Sequence, residues 1–164
     1  MIEIKFNPSI LKKYFDLKVR EQCRSCKRYG AGQCPPNLPS VDYYKTLLPS
    51  YENGVIFYEQ FSISNKDWET LGRKSSLILH KELLRKRQEL LNKGKYYVIV
   101  FGGGSCKTCL NCVTPCRQPD KAIVPLEGCG IDVVKLMKHF NIKISFPVEN
   151  KPFFYRTGLV LYDN

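Results

Sequence analysis

The stretch that decides the fold is residues 96–112, YYVIVFGGGSCKTCLNC, where an apolar run passes through three glycines into a cysteine cluster. A continuous apolar run rich in β-branched and aromatic residues is typical of a central strand that is buried on both faces of a sheet. The glycines allow the backbone to approach a bulky group closely. The stretch therefore predicts a buried strand that leads directly into a metal-binding loop.

The flanking sequence supplies helices and further strands around this predicted strand. Apolar spacing and end signals predict helices over 8–22, from Ser40 to about Tyr51, over about 66–92, and after Asp132 through VVKLMKHF. Strands are predicted over 55–63, near 142–146 and over 155–163. This order of elements indicates the α/β class, as one domain over 1–164 with a mixed β-sheet, flanking helices and two cysteine-rich loops, 23–36 and 102–119.

The second loop has the pattern Cys106-x2-Cys109-x2-Cys112-x3-Cys116. Three cysteines at successive x2 spacings are the ligand run of bacterial-type ferredoxins and are unusual for one zinc ion. The ferredoxin run places a proline directly after its fourth cysteine, whereas Arg117 stands at that position here. Backbone N–H groups of Gly102, Gly103 and Gly104 are candidates to bind the sulfurs of a cluster.

The first loop, Cys23-x2-Cys26-x7-Cys34, supplies three thiols, and two ways of sharing the eight cysteines stay open. In one, Cys116 completes the first site and Cys129 completes the second, as in the crossed arrangement of ferredoxins. In the other, the second loop keeps its own four cysteines and the first site has three cysteines and an open iron. An open iron would favour catalysis, although no catalytic residue is identified.

Disulfides and zinc are the competing explanations for so many cysteines. Disulfides are disfavoured because the N-terminal stretch lacks the apolar run of a signal peptide, which predicts a cytoplasmic, reducing location. Zinc stays the alternative metal, in a zinc-stabilised module that binds nucleic acid or protein. His80 and His139 each stand alone, so both are interpreted as structural rather than as metal ligands.

The chain is strongly basic, with a formal net charge of +11. Lys81, Arg85, Lys86 and Arg87 form a basic face on the longest predicted helix. Acidic residues are interleaved with them and no recognition motif is present, so a solvated face is favoured over nucleic-acid binding. No stretch is long enough to cross a bilayer, so no membrane partner is expected. The expected iron–sulfur centre makes a redox protein the favoured partner.

The chain resembles the predicted metal-binding proteins grouped as domain of unknown function 2284, which occur mainly in anaerobic bacteria and methanogenic archaea. The matching stretches, in the family's order, are CRSCKRYGAGQCPP (23–36), FGGGSCKTCLNC, CRQPDKA, EGCGID (127–132) and the closing TGLVLYD. The resemblance implies an iron–sulfur type of metal centre with Cys23, Cys26, Cys34, Cys106, Cys109, Cys112 and Cys116 as ligands. It implies no reaction.

The sequence as a whole predicts a protein with one or two 4Fe–4S clusters that transfers electrons in the cytoplasm. The candidate metal ligands are all eight cysteines, Cys129 included. An iron–sulfur enzyme, or a protein that handles sulfur or metal at an open iron, is the alternative.

Overall fold

A mixed β-sheet forms the centre of the computed structural model, which describes residues 1–63, 68–144 and 151–164. Over those residues the strands are β1 (Ile2–Phe6), β2 (Asn53–Ser62), β3 (Tyr96–Gly102), β4 (Val124–Pro125) and β5 (Phe153–Asp163). Their order in the sheet is β1-β2-β5-β3-β4, and only the β3–β4 pair is parallel. The α-helices are α1 (Leu17–Glu21), α2 (Val41–Leu47), α3 (Trp68–Asn92) and α4 (Val133–His139). The α/β class with a mixed sheet is confirmed.

The sheet separates two hydrophobic layers because side chains alternate between its faces. Val55 and Phe57 of β2 point toward α3, where they pack with its buried leucines. Ile56, which lies between them, points to the opposite face and joins the second layer. That layer is covered by α2, α4 and a 3-10 helix, Pro8–Lys13. The central strands β5 and β3 are therefore covered on both faces, as the apolar run predicted for β3.

The N-terminal region departs from the prediction. The single helix expected over 8–22 is two short pieces, the 3-10 helix Pro8–Lys13 and α1. The helix is interrupted between these pieces because Phe15 forms an isolated β-bridge with Ile131. Asp16 then caps a new helix by accepting a hydrogen bond from the Lys18 N–H. Strand β1 was not predicted, although IEIKF alternates as an edge strand does.

The remaining predicted elements agree closely with the structure, with one exception. Ser40 and Asp132 cap α2 and α4 through the N–H groups of Tyr43 and Lys135. The strand predicted near 142–146 is wrong for residues 142–144, which are not in a strand, and its other two residues lie outside the described residues. The first two residues of the helix predicted from about residue 66 also lie outside them.

Both cysteine loops lie at the same end of the sheet, the end where β3 and β4 finish. Strand β3 ends at Gly102, and the chain returns through the second loop to β4, where Val124 pairs with Phe101 and Pro125 with Gly102. The Leu126 N–H donates to the Gly102 carbonyl, which ties the 3-10 turn Glu127–Cys129 to the same end. The residues that follow the second loop therefore lie beside the point where that loop begins.

Candidate metal centre

Seven of the eight cysteines lie around two cavities at this end of the sheet. Cys23, Cys26 and Cys34 line the first cavity. Cys106, Cys109, Cys112 and Cys116 line the second. The structure thus groups Cys116 with its own loop rather than with the first loop, which corresponds to the second of the two partitions.

The first cavity has a volume of about 260 Å³ and is lined by backbone and side chains from three segments. Besides its thiols, its lining includes Arg28, Gly104 and Glu127. The Arg28 N–H donates to Cys26 Sγ at 3.4 Å, the kind of N–H···S contact that tunes iron–sulfur clusters.

Burial changes the acid–base properties of the groups in the first cavity. Burial raises the pKa of the Cys34 thiol to about 11, and it also raises the pKa of Cys23, with a further contribution from the Glu127 charge. Burial raises the pKa of the Glu127 carboxyl as well. A metal that binds these groups must displace protons, so its affinity increases with pH.

Cations also act on the groups of the first cavity: Arg28 lines it, and the charges of Lys107 and Arg156 interact with Cys26 and Glu127. Burial, followed by repulsion from Arg28, Arg156 and Arg73, lowers the pKa of Lys107. Burial also lowers the pKa of Arg156. These side chains place positive charge beside a group of acidic ligands, which favours an anionic metal–thiolate centre.

The second cavity is much smaller, at about 20 Å³, which is room for about one water molecule. Gln118 Nε2 donates to Cys109 Sγ at 3.7 Å, and the Cys106 thiol donates to Thr108 Oγ1 at 3.3 Å. A larger inorganic core fits here only if the loop expands around it.

The two loops contact each other directly, so the cavities are neighbours. The Gly32 N–H donates to Thr114 Oγ1 at 3.0 Å, and Thr114 Oγ1 donates to the Gly30 carbonyl. A Cβ atom on Gly32 would lie 2.4 Å from Cys112 Sγ. The Cys112 charge also contributes to the raised pKa of Cys34. Close approach of the loops depends on the missing side chain at Gly32.

The donor set fits an iron–sulfur centre by its chemistry. Within the described ranges, no three His, Cys, Asp or Glu side chains converge tightly enough to hold a single metal ion. Thiolates of a mononuclear zinc site each lie about 2.3 Å from the ion, and so must converge on one point. The thiols are the donor type that both a polynuclear iron–sulfur core and a zinc ion take, so the donor set is compatible with an iron–sulfur centre.

The three glycines have different surroundings. Gly102 ends β3, and the Gly103 N–H donates to the Thr157 carbonyl at 2.8 Å. The Gly104 N–H donates to Glu127 Oε2 at 3.1 Å. Among the three, Gly104 lines the first cavity, with a φ of +80° that favours glycine. The role predicted for all three in binding a cofactor stays a prediction.

Cys129 is the one cysteine outside the lining of both cavities, although the charge of Cys23 acts on its thiol. Its side chain is fully buried in the hydrophobic core and lines neither cysteine cavity. Burial raises the pKa of its thiol, although a hydrogen bond with Tyr44 opposes that shift. The metal-ligand role predicted for Cys129 stays a prediction.

The histidines and the basic helix face have structural surroundings. His80 is buried, and neither ring nitrogen has a hydrogen-bond partner among the described residues. His139 packs edge-on against the rings of Tyr14 and Phe140. On α3, Arg85 pairs with Glu82 and Glu89, Lys86 pairs with Glu3 and Glu89, and Arg87 donates to the Asp120 carbonyl. These three basic side chains therefore have partners within the protein, and the expectation that the face does not bind nucleic acid stays a prediction.

Sequence reasoning assigned no role to Glu127 or Arg28, both of which line the first cavity. Arg28 is two residues after Cys26, and Glu127 opens the EGCGID stretch that carried the family resemblance. The EGCGID stretch was therefore the sequence signal that could have identified Glu127 as a candidate site residue. The fold was needed to place Glu127 next to cysteines about a hundred residues earlier in the chain.

Comparison with known proteins identifies the family but no characterised relative. No helix in the described part of the chain has the length and apolar character needed to cross a membrane. No curated protein and no solved structure matches the chain. The family model described as predicted metal-binding protein, domain of unknown function 2284, matches residues 12–162, so the chain belongs to that metal-binding family.

Proposed function

We propose that the chain binds 4Fe–4S clusters on its two cysteine loops and transfers electrons to or from a redox protein. The observation that carries this proposal is the arrangement of seven thiols around two neighbouring cavities. Cysteine thiolates are the ligands of such clusters, which accept and release single electrons when bound. The second loop also has the ferredoxin spacing. Its four cysteines would hold one cluster, and Cys23, Cys26 and Cys34 would hold the other.

The contact between the loops supports electron transfer in particular. Cys112 Sγ lies against Gly32 of the first loop, so two redox centres here would be close neighbours. Two centres close together form a path along which electrons pass through the protein. The net charge of +11 suits an acidic partner, because complementary charge speeds the encounter of two proteins.

The test is to measure iron, sulfide, zinc and the visible spectrum of protein purified without oxygen. We expect about eight irons and eight sulfides per chain, and a brown colour that bleaches on reduction. Cys34→Ser and Cys109→Ser should each remove about half of the iron, whereas Ser25→Ala in the first loop should remove none. Stoichiometric zinc without colour would exclude the redox function and favour a zinc-stabilised module.

A second candidate is an iron–sulfur enzyme with an exchangeable iron position in the first cavity. The observation in its favour is the first cavity's lining of three thiols beside Arg28, whose buried Nε has no hydrogen-bond partner among the described residues. Such a guanidinium would bind a small anionic substrate. Addition of small carboxylates or sulfur oxyanions should then change the visible spectrum of the oxidised protein. An unchanged spectrum would leave electron transfer as the function.

A further inference from the structure

The first cavity combines three thiols with one carboxylate. Cys23, Cys26, Cys34 and Glu127 all line it, and the Glu127 charge acts directly on Cys23. Three cysteines leave one iron of a four-iron cluster without a protein ligand. We propose that Glu127 supplies the fourth ligand of the centre in this cavity. The inference rests on the proposed function, because it assumes that an iron–sulfur cluster binds there.

The backbone holds the Glu127 carboxylate in place. Glu127 begins the 3-10 turn that follows β4, and the preceding Leu126 N–H is bonded to the Gly102 carbonyl. The Gly104 N–H donates to Glu127 Oε2 at 3.1 Å. A Cβ on Gly103 would lie 3.9 Å from Oε1, so the glycine segment passes beside the carboxylate. A carboxylate can accept this hydrogen bond and still bind a metal through its remaining lone pairs.

The charges in the cavity favour a cationic group between these side chains. Among the described residues, the ion pairs within 4.0 Å do not include Glu127. The charge of Arg156 acts on Glu127 without forming a close ion pair, and the four acidic groups that share this partly buried cavity repel each other once ionised. Iron ions in a cluster would offset this repulsion, and carboxylate oxygen is a known ligand for iron in proteins.

Cys129 is the rival for the fourth position. It lies in the same turn, two residues after Glu127, but its thiol is fully buried in the core with Tyr44 as its hydrogen-bond partner. To reach the first cavity, Cys129 would have to leave that packing. Glu127 lines the cavity without any such movement.

Oxygen ligation has a specific chemical consequence. Carboxylate is a harder and less firmly held ligand for a cluster iron than thiolate. The iron bound by Glu127 should therefore be the one lost first when the protein meets a mild oxidant. The oxidant takes one electron from the [4Fe–4S]²⁺ centre, the iron leaves as Fe²⁺ and frees the carboxylate, and the [3Fe–4S]⁺ centre that remains has a distinct electron paramagnetic resonance signal. A cysteine at the same position should retain the iron.

The experiment compares Glu127→Gln, Glu127→Cys and Cys129→Ala with the wild type, all prepared without oxygen. Iron and sulfide are counted, and resonance spectra are recorded before and after one equivalent of ferricyanide. We expect the wild type to release about one of eight irons and to develop the three-iron signal on oxidation. Glu127→Gln should contain about seven irons as isolated and should give the three-iron signal on oxidation without releasing more iron, whereas Glu127→Cys should resist formation of that signal. Cys129→Ala should behave as the wild type.

Asp120→Asn is the matched control, because it neutralises an exposed carboxylate near the second loop that lines neither cysteine cavity. The signal of the second cluster and the far-ultraviolet circular dichroism report whether each variant folds. If Glu127→Gln matches the wild type in iron content and spectra, or if Cys129→Ala loses the iron instead, the inference is wrong while the cluster proposal stands. If the wild type contains no iron and sulfide, the proposed function itself fails.

Discussion

At the residue scale, the protonation of single buried groups links the candidate site to solution conditions. The Cys34 thiol has a pKa raised to about 11 by burial, so it is protonated at neutral pH when no metal is bound. The thiol loses its proton when the free energy of metal binding offsets the cost of deprotonation. The buried Glu127 carboxyl has its pKa raised by the same cause. Burial therefore opposes ionisation of both groups, and a metal that binds them has to displace their protons.

His80 provides a prediction about pH and stability. Burial lowers its pKa from 6.5 to about 4 in the folded protein. The unfolded chain therefore binds a proton at this residue before the folded protein does, and stability falls as the pH drops from about 6.5 to 4. At about 1.4 kcal/mol per pKa unit, the loss is up to about 3 kcal/mol.

Replacement of His80 tests this linkage. His80→Leu removes the titrating group. The unfolding free energy of this variant should therefore fall less between pH 7 and pH 5 than that of the wild type. His139→Gln replaces an exposed histidine and should keep the wild-type slope. Urea unfolding at several pH values, with metal content checked at each, measures both slopes. Equal slopes for the wild type and His80→Leu would contradict the prediction.

At the element scale, the packing of α3 on the sheet depends on one glycine in β5. A Cβ on Gly158 would lie 2.8 and 2.9 Å from the two Cδ atoms of Leu83, and 3.0 Å from the Phe101 carbonyl oxygen. We expect Gly158→Ala to destabilise the protein by about 1–3 kcal/mol, because the helix must shift outward. Among the described residues, a Cβ at Gly72 within α3 meets only Arg156, at 3.5 Å, so Gly72→Ala should stabilise by about 0.5–1 kcal/mol through helix propensity. Urea unfolding measures the change in unfolding free energy of each variant. If Gly158→Ala and Gly72→Ala change it in the same direction, this explanation of the packing is wrong.

The contact between the cysteine loops gives a second prediction at this scale. Gly32 and Gly30 both have positive φ values, so alanine strains the backbone at either position. A Cβ at position 32 would also clash with Cys112 Sγ at 2.4 Å, whereas a Cβ at position 30 meets no atom of the described residues within 4 Å. Gly32→Ala should therefore lose substantially more bound metal than Gly30→Ala. Metal content after identical purification measures this difference, and equal losses would show that the loops need not touch.

Elements with a strong periodic or cap signal could be predicted from the sequence. The apolar run of β3 and the caps Ser40 and Asp132 are examples. The interruption near Phe15 could not be predicted, because its cause is a bridge to Ile131, more than a hundred residues away. The same holds for the candidate site: its local patterns could be predicted, but contacts between distant segments could not. Spacing identified each cysteine group, but the position of Glu127 depends on the pairing of β4 with β3.

At the scale of the whole molecule, the hydrophobic core and the candidate metal centre occupy different parts of the fold. Both buried layers are built mainly from the sheet, the helices and the turns that flank them. The cysteine loops contain little regular structure and are held by a few hydrogen bonds. The core should therefore fold without metal, and the metal should order the loops.

Limited proteolysis tests this division of roles. Trypsin should cut metal-depleted protein rapidly after basic residues of the loops, such as Lys27 and Lys107, because segments that lose their anchoring open locally. Lys86 on α3 is held by ion pairs and should stay protected with or without metal. Mass spectrometry of early fragments locates the cuts, and circular dichroism follows the sheet and helices. Simultaneous cleavage in α3 and loss of the dichroism signal on metal removal would instead mean that the metal centre is required for the whole fold.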